Sequence, residues 1–286
     1  MRTSEHILGV ALLGLGLGLT TAHAFDGRKS PDSIPEIPGV GAVVRPPAQP
    51  DGGGSIQAMP LQPGNLAPAL KALEDAFGKG DAVAGWKLGH MYADGVSVER
   101  NPLTAFHYFR RVVESKDNDQ VPELRPIIAD ASVQLGLYYL KGIPNSDVKP
   151  DPVHAHKIFV YAALMLGDAD AQYYLGRMYL EGYQGVNKEP KQAEKWLYHA
   201  ATRGQYEAQV KYGSLLIEGK VLQRDVATGL MWLRVAVDTA PEGEAKDGVR
   251  GIYNAALEQA TKDERAAAEV HYEQWKRSRP AAAVRP

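Results

Sequence analysis

Apolar residues recur along residues 66–240 in two alternating sets, each with helical spacing. The clearest example is residues 170–204. There Ala171, Leu175 and Tyr179 fall at i, i+4 and i+8, so they share one helix face. Gly182 closes that helix, because glycine takes the left-handed conformation without steric cost. Glu189-Pro190 opens a second helix, since proline in the first turn gives up no hydrogen bond. Its apolar face is Ala193, Trp196, Leu197, Ala200 and Ala201, and Gly204 ends it. Two short amphipathic helices cannot bury their faces alone, so this unit needs neighbours.

Three more units supply them. The first helices align as Ala84, Leu88-Gly89, Tyr92, Gly95, then Ala131, Leu135-Gly136, Tyr139, Gly142. They continue as Ala171, Leu175-Gly176, Tyr179, Gly182, then Ala208, Tyr212-Gly213, Leu216, Gly219. The second helices start at Asn101-Pro102, Asp151-Pro152, Glu189-Pro190 and Asp225-Val226. Each start is followed by a small residue (Ala105, Ala155, Ala193, Gly229) and a large apolar pair. The pairs are Tyr108-Phe109, Ile158-Phe159, Trp196-Leu197 and Trp232-Leu233. Asn and Asp are strong N-caps, each worth about 1 kcal/mol over alanine, and Glu189 is the weaker cap by type.

The connections vary. Gly80, Gly167 and Gly204 each stand four residues before the alanine of the next unit. The second unit lacks this glycine and is preceded by a polar, proline-containing stretch over 116–128, which predicts a long loop. Its own turn, 143–150, is enlarged. Insertions of this kind map to loops. Ahead of the first unit, Ala69, Leu73, Ala76 and Phe77 mark a helix without a partner, which suits a capping half-repeat. After Pro241, the stretches 245–261 and 262–277 predict two more helices with a polar outer face closing the array.

The segment 1–65 differs in kind. Arg2, the apolar run 7–19 and Ala22-His23-Ala24 form the pattern of a secretory signal with cleavage after Ala24. The apolar run is too short for an ordinary membrane span. Residues 25–65 are rich in proline and glycine and poor in large apolar residues, so they are expected to be a disordered or extended tether that proteases cut readily. The expected organisation is a signal peptide over 1–24, a tether over 25–65, and an all-α repeat array over 66–240. That array is a capping helix plus four repeats. Capping helices over 241–278 and a tail over 279–286 complete the chain.

The A-x-x-x-L-G-x-x-Y-x-x-G helix and the A-x-x-W-L-x-x-A-A helix ending in glycine resemble the Sel-one-like repeat, a relative of the tetratricopeptide repeat. Successive glycines of the L-G pair are 47, 40 and 37 residues apart. The fourth unit departs from the pattern at Tyr212 and Gly229, and the first has Tyr108 where tryptophan is expected. The resemblance implies a right-handed α-solenoid of helix-turn-helix repeats whose concave groove binds a protein. An exported chain with a tether, four such units and a helical C-terminus is similar to the ExoR-type periplasmic regulators of alpha-proteobacteria. That likeness implies a periplasmic negative regulator of exopolysaccharide synthesis. It would bind the periplasmic domain of a sensor histidine kinase of a two-component system, with release by a protease acting on the tether or loops. A periplasmic scaffold for polysaccharide-export or cell-wall enzymes, without kinase contact, is the alternative.

Composition narrows the chemistry. The chain has 286 residues, 32 basic and 34 acidic, for a formal net charge of −2. That balance carries no electrostatic footprint for nucleic acid or an anionic membrane, and no stable membrane insertion is expected after signal cleavage. There is no cysteine, hence no disulfide, thiolate nucleophile or cysteine zinc site. His154 and His156, two apart on a helix, point roughly 200° apart and make poor co-ligands. Asp168 and Asp170 lack the glycine and glutamate of a calcium loop and suit the start of the following helix. No nucleophile elbow, phosphate loop or zinc helix is present. No catalytic residue, metal or cofactor is expected, and a cell-wall hydrolase would need an acid/base pair the sequence does not display.

The expected binding face follows from helical angle. Two and six residues after each repeat alanine, the first helices carry Trp86 and His90, Val133 and Leu137, Tyr173 and Arg177, Val210 and Ser214. These point away from the Ala/Leu/Tyr face. Either neighbouring helices cover the ladder Trp86, Val133, Tyr173 and Val210, or it lines the groove. If exposed, an aromatic-plus-arginine strip suits a protein partner.

Overall fold

Each repeat closes through one backbone bond that does not depend on the length of its turn. The amide of the residue capping the second helix donates to the carbonyl eight residues after the repeat alanine. The four pairs are Asn101 N–H to Tyr92 O at 2.8 Å, Asp151 to Tyr139 at 2.6 Å, Glu189 to Tyr179 at 2.8 Å and Asp225 to Leu216 at 2.9 Å. The enlarged turn of the second repeat bulges outside this bond, so the insertion leaves the helix pair undisturbed.

The structure is a computed structural model that describes residues 66–115 and 121–279. The expected signal peptide, the tether and nearly all of the tail lie outside the described residues. Those residues form α1 (Leu66–Gly78), α2 (Ala82–Asp94), α3 (Pro102–Glu114), α4 (Arg125–Lys141), α5 (Pro152–Tyr161) and α6 (Ala169–Glu181). They continue with α7 (Pro190–Thr202), α8 (Tyr206–Glu218), α9 (Val226–Thr239), α10 (Glu244–Gln259) and α11 (Lys262–Arg277). The pairs α2/α3, α4/α5, α6/α7 and α8/α9 are the four repeats of an all-α solenoid.

Capping residues set the starts. Asp81 accepts the Val83 and Ala84 amides, Asp168 that of Ala171 and Gln205 that of Ala208. In the second helices Asn101, Asp151 and Asp225 accept the amides three residues on, whereas Glu189 makes no side-chain cap bond. Each pair then packs by a small-against-large contact at one register. A Cβ on Gly89 would stand 2.6 Å from the Phe109 ring, and one on Gly136 2.5 Å from Phe159. One on Gly176 would stand 2.7 Å from Leu197. In the fourth repeat the backbones come closer still: a Cβ on Gly213 would meet the Gly229 carbonyl oxygen at 2.7 Å, and one on Gly229 would meet Ile217 Cγ1 at 2.6 Å. Gly229, a departure from the repeat pattern, is therefore what allows that approach.

Two expectations change, and one feature is new. Residues 125–128 are helical rather than loop, because α4 starts at Arg125 behind a 3-10 turn, Pro122–Leu124. Pro126 sits in the first turn of α4, where its missing N–H costs nothing. Trp196 is half-buried, while the next residue, Leu197, is wholly buried. The Trp196 side chain therefore packs on the core with only part of its surface covered. Finally, α5 runs into a π-helical turn, Ala162–Leu166, that ends at Gly167 in the left-handed conformation.

The array closes with α10 and α11. A capping box at Thr261 and Glu264 starts α11. That helix lies along α9, with the Tyr272 hydroxyl donating to Asp238 Oδ2 at 2.5 Å, Arg234 paired with Glu269, and Arg224 Nη1 3.2 Å from Glu264. Only Ala268 and Tyr272 of α11 are buried. The rest of its sixteen residues face outward or only part-way in, as a terminal helix with no further neighbour requires.

Candidate protein-binding site

The four first helices, α2, α4, α6 and α8, set equivalent residues side by side, and the face they share is the candidate surface. The apolar ladder is mostly covered. Val133, Tyr173 and Val210 are 5%, 9% and 4% exposed, so they are packing residues: Val133 and Tyr173 toward the next repeat, and Val210 toward α9 and α10. Trp86 stays half-buried. Six residues after the alanine, His90, Leu137, Arg177 and Ser214 are all partly exposed. The ladder residue that sequence alone makes most attractive, Tyr173, thus presents little surface. Burial pushes its hydroxyl up to about 12.

Arg177 is held rather than free. Its Nε and Nη2 donate to Glu181 Oε1 at 3.2 and 3.1 Å, and its guanidinium lies 5.8 Å from the Tyr173 ring centroid. The Tyr183 hydroxyl donates to the other Glu181 oxygen at 2.8 Å. This partly buried pair fixes the direction of Arg177 and so presents a preorganised cation.

Trp86 and His90 converge on a residue that helical angle alone does not single out. Trp86 Nε1–H donates to Asp130 Oδ2 at 2.6 Å, and His90 Nε2 lies 2.7 Å from the same oxygen. Asp130 stands immediately before the repeat alanine. In the next two repeats that position is Asp170 and Glu207, so carboxylates run along α4, α6 and α8. Gln205 bridges two of them: its Nε2–H₂ donates to Asp170 Oδ1 at 3.2 Å and to Glu207 Oε2. Burial raises the pKa of Asp170, against the Gln205 hydrogen bond and with the help of Asp130. By its accessible surface Asp170 is an exposed residue, so solvent screening blunts this shift. Burial also raises Glu207. Asp168, the α6 cap, goes to about 6, chiefly by burial, with its Ala171 hydrogen bond opposing and the charges of Asp170 and Asp130 adding.

A second group missed by helical angle is fully internal. Gln172 and Gln209, one residue after the repeat alanine, are 4% and 0% exposed. Gln172 Nε2 donates to the Ala163 carbonyl at 3.4 Å, and Gln209 Nε2 to the Ala201 carbonyl at 3.0 Å. Each ties a first helix to the end of the preceding second helix. The signal was present as a polar residue repeated at one register beside the buried alanine.

His154 and His156 go separate ways. His154 stacks on Tyr139 with centroids 4.2 Å apart, and His156 Nε2 lies 2.8 Å from the Tyr179 hydroxyl. Among the described residues no group of three or more His, Cys, Asp or Glu side chains could hold a metal ion. No described helix is long and apolar enough to cross a membrane.

Comparison with known proteins matches this geometry. The Sel1 repeat family model matches residues 82–114, 129–165, 169–205 and 207–238, essentially one match per helix pair. The exopolysaccharide production negative regulator of Rhizobium meliloti (strain 1021) is 29% identical over 197 residues, covering 69% of this chain and 71% of the relative. The exopolysaccharide production negative regulator of Rhizobium leguminosarum bv. viciae is 30% identical over 175 residues, covering 61% of this chain and 63% of the relative. Among solved structures, a Sel1 repeat protein from Oxalobacter formigenes has a TM-score of 0.56 at 21% identity, covering 77% of this chain and 78% of that one. At that identity the likeness concerns the fold.

Proposed function

The chain belongs to the Sel1 repeat family, and from that premise we propose that it is a periplasmic protein-binding adaptor that restrains exopolysaccharide production. It does so by binding the periplasmic domain of a sensor histidine kinase of a two-component system through the face of its first helices. The observation that carries the regulatory role is the similarity to two exopolysaccharide production negative regulators, over 69% and 61% of the chain. The signal-like segment 1–24 supports export, and the fixed cation of Arg177 on α6, with partly exposed His90 on α2 and Leu137 on α4, supplies the mixed chemistry that protein partners use.

Deleting the coding sequence should raise exopolysaccharide output, and an unchanged output would overturn the regulatory role. Affinity purification of the tagged chain from the periplasm, with mass spectrometry, tests the partner. Recovery of a sensor kinase supports the reading. Recovery of polysaccharide-export or cell-wall enzymes without a kinase would replace it with a scaffold.

A further inference from the structure

We infer that the contact of Trp86 and His90 with Asp130 is a latch, and that the junction between the first and second repeats is the hinge of the solenoid. The three junctions between repeats are held differently, whatever partner the solenoid binds.

The later junctions are clasped from inside. At the second and third, a buried glutamine donates to a carbonyl of the preceding second helix, Gln172 to Ala163 and Gln209 to Ala201. Gln209 is further secured because its Oε1 accepts the Thr239 hydroxyl at 2.6 Å. A glycine and a capping residue make each linker short: Gly167-Asp168 and Gly204-Gln205. Arg203 Nη1 adds a bond to the Gly167 carbonyl at 2.9 Å.

The first junction has none of these devices among the described residues. The register of the glutamine is occupied by Ser132, whose Oγ donates to Ile128 O of its own helix at 2.6 Å. It spends its hydrogen bond within α4 and ties nothing to α3. The glycine-plus-cap linker is replaced by the 3-10 turn and the earlier start of α4. Among the described residues, the junction is held by apolar packing, with Phe106 and Phe109 in one cluster with Ala131 and Leu135, and by a hydrogen-bonded polar contact nearer the surface.

That polar contact is Asp130. One carboxylate oxygen takes both ring nitrogens of α2, and the His90 and Asp130 side chains are 16% and 17% exposed. The donors are aimed by their own packing: His90 lies edge-on to both Trp86 and Phe109, with centroids 4.9 and 5.1 Å away. A hydrogen bond to a charged group is stronger than one between neutral amides, but at a solvent-touched site it can be exchanged for water. Apolar packing is non-directional and tolerates small rotations; the two N–H···O bonds fix an angle. Asp130 therefore sets the orientation of the α1–α3 block against the rest of the array, and losing it frees that block without dismantling the core.

Hydrogen exchange on the full chain tests this. Asp130→Ala should speed amide exchange in α2 and α3 about tenfold, with α6 to α9 within about twofold of wild type, because a charge-assisted bond is lost at one junction only. Trp86→Phe deletes one donor while keeping an aromatic body, and should give the same regional pattern with smaller amplitude. It also keeps the test open should Asp130→Ala fail to fold. Gln209→Ala, at the third junction, should leave α2 and α3 unchanged. No change in either latch variant, or an equal acceleration in all helices, overturns the hinge.

Discussion

Gly176 and Leu197 meet where the two helices of the third repeat cross, and a Cβ on the glycine would stand 2.7 Å from Leu197 Cγ and 3.2 Å from its backbone nitrogen. The contact involves main chain, so a rotamer change cannot relieve it. Gly176→Ala should destabilise the chain by about 1–3 kcal/mol, the usual cost of overpacking. Gly251 is the control: it is an exposed residue in α10 with nothing within 4 Å of its Cβ position. Gly251→Ala should stabilise by roughly 0.5–1 kcal/mol through helix propensity. Urea unfolding of the two variants should move in opposite directions.

Gln209 lies wholly inside the protein with both ends of its amide engaged, to Ala201 O and the Thr239 hydroxyl. Gln209→Leu has a similar size but leaves the Ala201 carbonyl without this donor, while the Thr239 hydroxyl can turn to the Val235 carbonyl 3.0 Å away. A loss of about 1–3 kcal/mol is expected, since orphaned buried polar groups carry the desolvation penalty. A chemical-denaturation midpoint equal to wild type would show that water replaces the amide.

Phe159 is fully buried against Gly136, and Trp196 is half-buried one repeat later. Phe159→Ala should cost about 3–5 kcal/mol by opening a cavity. Trp196→Ala should cost less than Phe159→Ala despite the larger ring, because part of that side chain already faces water. The order of the two thermal midpoints decides whether part of Trp196 is exposed.

Asp168 carries a pH dependence of defined sign. Its pKa stands at about 6 in the folded chain against 3.8 for an ordinary aspartate, mainly through burial. The folded state holds the proton more tightly than the unfolded one between those values, so stability falls as pH rises through that window. The penalty is full above the folded value and absent below the unfolded one. Asp168→Asn keeps a good N-cap and removes the charge. It should stabilise the chain by on the order of 1 kcal/mol at pH 8, with no gain near pH 4. Urea melts at the two pH values, compared with wild type, read the difference.

Tyr173 and Arg177 separate packing from binding. Tyr173→Ala removes a side chain that is 9% exposed and should lower stability by about 3–5 kcal/mol. Arg177→Gln exchanges a partly buried cation for a neutral group and should lower the circular dichroism melt far less than Tyr173→Ala, because an ion pair within one helix contributes only a few tenths of a kcal/mol to about 1 kcal/mol. If the first-helix face binds the partner, Arg177→Gln weakens recovery of the kinase domain; undiminished recovery would remove Arg177 from the interface.

The helix pairs and their register were legible in the sequence because the contacts that make them are local and repeated. Alanine, the Leu-Gly pair, the cap residue and the large apolar residue recur at constant offsets, and each offset maps to a helix face. The fold class, the place of Asp168 at a helix start and the weak cap at Glu189 follow from residue type and spacing, whereas the Asp168 bond to the Ala171 amide comes from the structure. The stretch 116–128 reads as loop although 122–124 form a 3-10 turn and 125–128 begin α4, because a proline in the first turn of a helix looks the same in sequence as a proline in a loop; residues 116–120 lie outside the described residues.

Side-chain facing across repeats was not legible, because it depends on partners about 40 residues away. Helical angle places Tyr173 and Val210 on an outward face; the neighbouring helices bury them. The same angle passes over Asp130, which gains its role only when α2 brings Trp86 and His90 within 2.7 Å of one oxygen. By itself the sequence determined the period, the helix boundaries near caps and glycines, and the absence of cysteine chemistry. The tertiary structure alone decided which polar residues clasp one repeat to the next, since such bonds form between residues that no local periodicity relates.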